Sequence, residues 1–382
     1  MGALARLASR GAIKSLSRAD DGKADGERFD AAFSRFLEDP AVAHHVRSAR
    51  VLSLEAAEKG WVEAGIEVEP GDQVTVMAVG ALWASKLLDL RFGPRMGIWL
   101  RAGLKGTIFK TPSHVSTVPV AQGGPLYLVA WPPGEWADEQ GTFDPALPRG
   151  GISGALHVCV IVWKEDAVEG LKTLLQVGDF QNLVTSALAQ AQMPVTTPQG
   201  WHYLWRLGQG AIYSDAGHQT RRHIHCHTKE DVGILQFPAD FPLSETTRLS
   251  WRWKVDRLPG EMAEDIQFTH DYLSIAVEFD NGQDLTYMWS SKLAEGTVFR
   301  CPLVFWDQIE THWVLRSNPA ELGKWLSEER PLKADYAHAV GTPPQRIVRV
   351  WLIANSVFQR GEGICDYADI ELVDGDKRLK IL

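Results

Sequence analysis

LSWRWKVDRLPG (residues 249–260) and YLSIAVEFDNGQDLTYMW (residues 272–289) decide the fold. Apolar residues recur at every second position: Leu249, Trp251, Trp253 and Val255, then Leu273, Ile275, Val277 and Phe279, then Leu285, Tyr287 and Trp289. A period of two is that of a strand with one buried face. Between the last two runs, Asp280-Asn281-Gly282-Gln283 supplies a hairpin turn, since Asn and Gly tolerate positive φ. The alternate positions carry Arg252, Lys254, Asp256, Tyr272, Ser274 and Glu278. This half of the chain therefore reads as a β-sandwich with a polar face on which function can sit.

The same reading extends outward. A length of 382 residues suggests two domains. Residues 28–60 have helical spacing, with Ala31, Phe33, Phe36 and Leu37 on one side. From Trp61 the period becomes two, and Ala155 to Trp163 is a near-continuous apolar strand of the kind buried on both faces. Residues 166–193 return to helical spacing and read as a bridge between two β-domains. The expected architecture is all-β with helical additions, two jelly-roll-like sandwiches joined by a helical linker. Its segments are residues 1–49 (N-terminal, helical), 50–165 (first sandwich), 166–200 (linker) and 201–382 (second sandwich).

Composition sets limits on function. A net charge of −9 argues against nucleic acid, which binds basic surfaces. No apolar run is long enough for a membrane span. Arg6, Arg10, Lys14 and Arg18 lie in a stretch with no apolar core, so no secretory signal is expected and a cytoplasmic location is. Cys159, Cys226, Cys301 and Cys365 form no C-x-x-C pair and read as reduced, mostly buried thiols. Fifteen tryptophans suit sandwich cores and also stacking on sugars.

Three groups of residues are candidates for chemistry. The first is His223, His225 and His227, whose imidazoles line one side of a strand about 7 Å apart and offer a transition-metal site. Its third ligand would come from His218, Glu230 or Asp231; the competing reading is a solvated strand. The second is His270-Asp271-Tyr272, at the start of the central strand, where neighbouring His and Asp point to opposite faces. One of them can serve as general base with Tyr272 or Tyr287 as acid, and the competing reading is Asp271 capping backbone N–H groups of a turn. The third is Arg330, beside Glu329 and Asp335, which offers either an anion clamp or an internal salt bridge. P-loop, dinucleotide and serine-hydrolase motifs are absent.

Two resemblances add to this. Trp61, Gly65-Ile66, Pro70-Gly71-Asp72, Val74, Val76, Gly80, Gly93-Pro94, Gly97 and strand 155–163 resemble the PA-I type galactose-binding lectin fold. That family holds calcium through Asp and Asn after its last strands. Here the stretch reads Trp163-Lys164-Glu165-Asp166, without the Asn-Asp pair, so the resemblance implies the scaffold without calcium-dependent galactose binding. Residues 200–375 resemble the bacterial family domain of unknown function 3047. The match runs through Leu249–Val255, Leu258-Pro259, Asp265, Asp271-Tyr272, Val277–Phe279, Tyr287–Trp289, Trp325, Glu329-Arg330, Asp335-Tyr336 and Tyr367–Ile370. That resemblance implies a concanavalin-type jelly roll, an architecture shared by carbohydrate-binding modules and polysaccharide lyases.

The combined expectation is a cofactor-independent acid–base enzyme (lyase, isomerase or hydrolase). It would act on a small-molecule or glycan ligand in an aromatic-lined cleft of the second sandwich. His270, Asp271, Tyr287 and Arg330 are its expected catalytic residues; Trp251, Trp253, Tyr272, Trp289 and Asp335 are its expected ligand contacts. The alternatives are a bound transition metal and a non-catalytic carbohydrate-binding or scaffold protein.

Overall fold

A computed structural model describes residues 23–56, 60–87, 90–146, 151–217, 222–304 and 306–382. His218, and Arg6, Arg10, Lys14 and Arg18 of the basic N-terminal segment, lie outside the described residues. The chain forms two compact units: Met1–Val195 with Trp205–Ala211, and Thr196–Leu204 with Ile212–Leu382.

In the first unit a five-stranded sheet is covered on both sides. The long strand Ser153–Trp163 pairs with Val46–Glu55 and Gln73–Ser85. One side, with Val158, Val160 and Val162, packs toward the three-stranded sheet of Val62–Val68, Gly124–Ala130 and Ile98–Ala102. The other side, with Cys159, Ile161 and Trp163, packs against helices Lys23–Glu38, Ala167–Val177 and Leu183–Gln192. This double covering is why the strand reads as an unbroken apolar run.

Two expectations are corrected here. Residues 46–55, read as helical, form a strand, because pairing with Ser153–Trp163 outweighs local spacing. The helices of 166–193, read as a bridge, are the cover of the first sheet, which would otherwise expose its second apolar side. In addition, Trp205–Ala211 belongs to the first unit. Trp205 packs there on the cluster of Trp99, Trp131 and Trp136, and Gly134 N donates to Arg206 O.

The second unit is a sandwich of two sheets. The six-stranded sheet runs Tyr213–Ala216, His223–Lys229, Glu362–Asp374, Arg248–Arg257, Leu326–Pro331, with Lys377–Lys380 paired onto Glu362–Asp374. The seven-stranded sheet runs Val298–Arg300, Glu310–Arg316, Asp284–Trp289, Tyr272–Phe279, Arg346–Asn355, Val232–Pro242, His202–Tyr203. The hairpin at Asp280–Gln283 pairs Leu273 with Trp289 and Glu278 with Asp284, and Gly282 takes φ 75°. Asp284–Trp289 and Glu310–Arg316 are parallel. The core holds every apolar residue of the quoted alternation. Within it, Trp251 stacks on Tyr287 at 5.6 Å and Trp253 meets Trp289 at 5.6 Å.

Candidate functional site

Because the core takes one half of the alternation, the other half of each strand lies on the outer face of the seven-stranded sheet. Tyr272, Glu278, Asp284 and Thr286 stand there, and the parallel strand sets Glu310 beside Asp284 and His312 beside Thr286. Flanking segments supply His270, Glu264 and Cys301. Tyr272, Asp284, Thr286, Glu310, His312, His270, Glu264 and Cys301 are all buried. Buried polar groups on this scale must satisfy one another.

They do so through Glu310 and Thr286. Tyr272 Oη donates to Glu310 Oε1 at 3.1 Å. Thr286 Oγ1 lies 3.1 Å from Glu310 Oε1 and 3.2 Å from Asp284 Oδ1. A hydroxyl has one proton, so it can donate to only one of two carboxyl groups. The arrangement closes if Asp284 is protonated and donates to Thr286, which donates to Glu310. The electrostatics agree. Burial, then the charge of Glu310, raises Asp284 well above the usual carboxylate range. For Glu310 burial works in the same upward direction, but the adjacent His312 outweighs it and brings the carboxylate below its usual range. The two adjacent carboxyls are thus pushed apart, Asp284 toward its protonated form and Glu310 toward the carboxylate.

His270 donates from Nδ1 to Glu264 O at 2.5 Å, and its Nε2 lies 3.4 Å from Cys301 Sγ. Burial, then His312, lowers His270 to about 3, so its ring is neutral. His312 is 0% exposed, its Nε2 is 3.3 Å from Glu310 Oε1, and neither ring nitrogen makes a hydrogen bond.

The rim of this face is accessible. Glu278, with 17% of its side chain exposed, takes Arg349 Nη1 at 2.7 Å and Trp351 Nε1 at 3.1 Å. Trp306 meets Trp351 edge-on at 6.4 Å. Arg300 bonds Gln283 and Thr311 beside Asp284.

The four expected catalytic residues do not converge. His270 joins the outer-face cluster. Asp271 turns away from it and accepts backbone N–H groups of Phe358 and Gln359 at 2.9 and 2.6 Å. Tyr287, on the opposite side of the sheet, donates to Asp335 Oδ2 at 2.7 Å, and Arg330 grips both oxygens of Asp335 at 2.7 and 2.8 Å. Arg330 and Asp335 thus form an internal salt bridge. Trp251, Trp253 and Trp289 fill the core instead of lining a cleft, because their alternation places them between the sheets. Of the expected ligand contacts, Tyr272 alone reaches the outer face.

His223, His225 and His227 lie on the outer face of the six-stranded sheet. His225 Nδ1 sits 2.7 Å from Asp366, His223 3.7 Å from the same carboxylate, and His227 2.9 Å from Glu362. Glu230 pairs with Arg360, and Asp231 O accepts from Thr228 and Ser356. Among the described residues, the group whose metal-type donor atoms lie within 4.8 Å of one another is His270, Cys301 and His312. In the stretch after Trp163, Asp166 caps a helix by accepting Val168 N, and Lys164 donates to the carbonyls of Ala43 and His44.

Sequence reasoning missed Asp284, Thr286, Glu310, His312, Cys301 and Glu264. The alternation that buries Leu285 and Tyr287 already places Asp284 and Thr286 outside. Nothing in local spacing brings Glu310, Cys301 or Glu264 to them.

No curated protein matches the chain. Solved structures similar to parts of it have low identity and low TM-scores. One is the EclA N-terminal domain, a PllA-like lectin (13% identity, TM-score 0.23, 29% of this chain and 94% of that one). Another is the xyloglucanase domain of NopAA, a type three effector from Sinorhizobium fredii, in complex with cellobiose (7%, 0.28, 47% and 94%). A third is a family 30 carbohydrate-binding module of a cellulosomal cellulase of Clostridium thermocellum (10%, 0.25, 48% and 90%). No described helix is long and apolar enough to cross a membrane. Residues 205–371 match the family model described as protein of unknown function (DUF3047), and the C-terminal half of the chain resembles that family.

Proposed function

We propose that the second unit acts on glycans by acid–base chemistry on the outer face of its seven-stranded sheet. Asp284 is the proton donor and Glu278 the second carboxylate. One observation carries this reading: Glu278, Asp284 and Glu310 stand in register on three neighbouring strands, and the middle one is the group favoured to hold a proton. Adjacent strands lie about 4.8 Å apart, close to the roughly 5–5.5 Å carboxyl separation of retaining glycoside hydrolysis. Asp284 would protonate the leaving oxygen while Glu278 attacks the sugar carbon; water then releases the product. The indoles of Trp306 and Trp351 would give apolar surface to a sugar ring, and Arg349 would hold Glu278 in place. Asp284 is 1% exposed, so substrate must displace the side chains of Arg300 and Gln283.

That burial also favours a second reading, a carbohydrate-binding module that uses Glu278 and the two indoles without turnover. Full-length protein is tested on soluble β-glucans for release of reducing ends and for retardation in affinity gels. The catalytic reading expects Asp284→Asn and Glu278→Gln to lose about 10²–10⁴-fold in rate while retardation persists. Retardation without turnover, abolished by Trp306→Ala, establishes the binding reading instead. Neither turnover nor retardation across the panel overturns both.

A further inference from the structure

We infer that His270, Cys301 and His312, with the Glu310 carboxylate beside His312, form a binding site for one divalent transition-metal ion of the zinc type. The inference goes beyond the glycan reading and does not depend on it. Three donors carry it first: the ring nitrogens of His270 and His312 and the sulfur of Cys301 lie within 4.8 Å of one another, all buried. The Nε2 of His270 and Sγ of Cys301 are 3.4 Å apart. Tetrahedral zinc, with bonds of about 2.0–2.1 Å to nitrogen and 2.3 Å to sulfur, places such a pair about 3.5 Å apart.

His312 is the second, independent observation. Its ring is fully buried, and neither nitrogen has a hydrogen-bond partner among the described residues. Its contact with Glu310 Oε1 at 3.3 Å lacks hydrogen-bond geometry, so the buried ring is left unsatisfied, and a cation bound at the cluster gives it a ligand role.

The surroundings are those of oriented ligands. His270 gives its Nδ1 proton to Glu264 O, which leaves the Nε2 lone pair directed at the cluster. Glu310 Oε1, 3.3 Å from His312 Nε2, is held by the hydroxyls of Tyr272 and Thr286. The charges balance as well. The Cys301 thiolate and the neighbouring Glu310 carboxylate carry two negative charges, which one divalent ion neutralises, and two neutral imidazoles complete the set of donors. On loading, the Cys301 thiol releases its proton to solvent and forms the sulfur–metal bond; no electron is transferred. Two imidazoles with one thiolate favour zinc over the hard, oxygen-seeking cations calcium and magnesium. With all of these ligands buried the site is closed to solvent, and the ion joins the segments bearing His270 and Cys301 to the strand Glu310–Arg316.

The probes are zinc and cobalt alone. Protein produced in zinc-supplemented medium should hold about one equivalent after desalting, by plasma mass spectrometry. Chelation should lower its melting temperature, and cobalt(II) should restore it with a thiolate charge-transfer band. Cys301→Ser should abolish that band and His312→Gln should reduce bound metal at least tenfold. Asp284→Asn and His225→Ala should change neither, so failure of the glycan reading leaves this result intact. Metal-free protein that takes up no zinc on refolding overturns the site. So does a cobalt spectrum without a thiolate band, which wild-type protein alone can show if a variant fails to fold.

Discussion

Asp284 and Glu310 face each other in register on two parallel strands, and the single hydroxyl of Thr286 touches both. Asp284 holds a proton in the folded state at pH values where the unfolded chain, near its ordinary value of 3.8, has released it. The unfolded state then binds fewer protons, so this group makes stability fall as pH rises above about 4, until the raised folded value is passed. Urea midpoints measured from pH 4 to 8 should show that decline. Asp284→Asn keeps a donor for Thr286 and removes the ionisation, so its profile should be flatter. Parallel profiles for the two proteins would reject the protonated assignment.

Asp271 is a clamp on the chain at Phe358 and Gln359. Burial raises it to about 7 even though both amides favour its charged form. Asp271→Asn would turn an amide N–H₂ toward one of two backbone donors. A buried donor left unpaired costs about 1–3 kcal/mol, which denaturant unfolding should report. Turnover or glycan retardation per folded molecule should be unchanged.

Arg330, Asp335 and Tyr287 should behave as a stability unit. Arg330→Ala leaves the Asp335 carboxylate buried with only the tyrosine hydroxyl, at a cost of roughly 3 kcal/mol. Tyr287→Phe should cost about 1 kcal/mol. In a double-mutant cycle the two should be non-additive, since they share Asp335. Strict additivity would contradict the shared contact.

The histidines of the other sheet give a pH signature of opposite sign. The hydrogen bond to Asp366 raises His225 above its ordinary 6.5, with burial opposing it. Its contribution is present below about pH 6.5 and is lost as pH rises through the folded value. His225→Ala should remove that loss from the stability profile. It should also leave metal content unchanged; a fall in bound metal would return the site to His223, His225 and His227.

In the first unit, Lys164 and Asp166 are committed to the carbonyls of Ala43 and His44 and to a helix cap. Calorimetry should find no calcium-dependent galactose affinity. A millimolar or tighter dissociation constant that disappears with chelator would show that this stretch rearranges to hold the ion.

The strands of the second unit were legible because burial of one face imposes a period of two, and the Asn281-Gly282 turn sets the register of the hairpin. The spacing of strand 46–55 reads as helical because its burial is partial and irregular, and only pairing with Ser153–Trp163 makes it extended. His270 was singled out for its chemistry and does stand in the polar cluster. Tyr287 and Arg330 were singled out for theirs, and they face the core and a salt bridge.

What the amino-acid order alone determined was which residues of each strand share a face. Alternation along an extended chain is local and follows from backbone geometry. Thus Leu285, Tyr287 and Trp289 were bound to one side, and Asp284 and Thr286 to the other. Tertiary structure alone decided what Asp284 would meet. The parallel pairing of Asp284–Trp289 with Glu310–Arg316 joins segments separated by a long connection, and the segments carrying His270 and Cys301 close over them. Such encounters depend on the packing of the whole sandwich, which no local periodicity encodes.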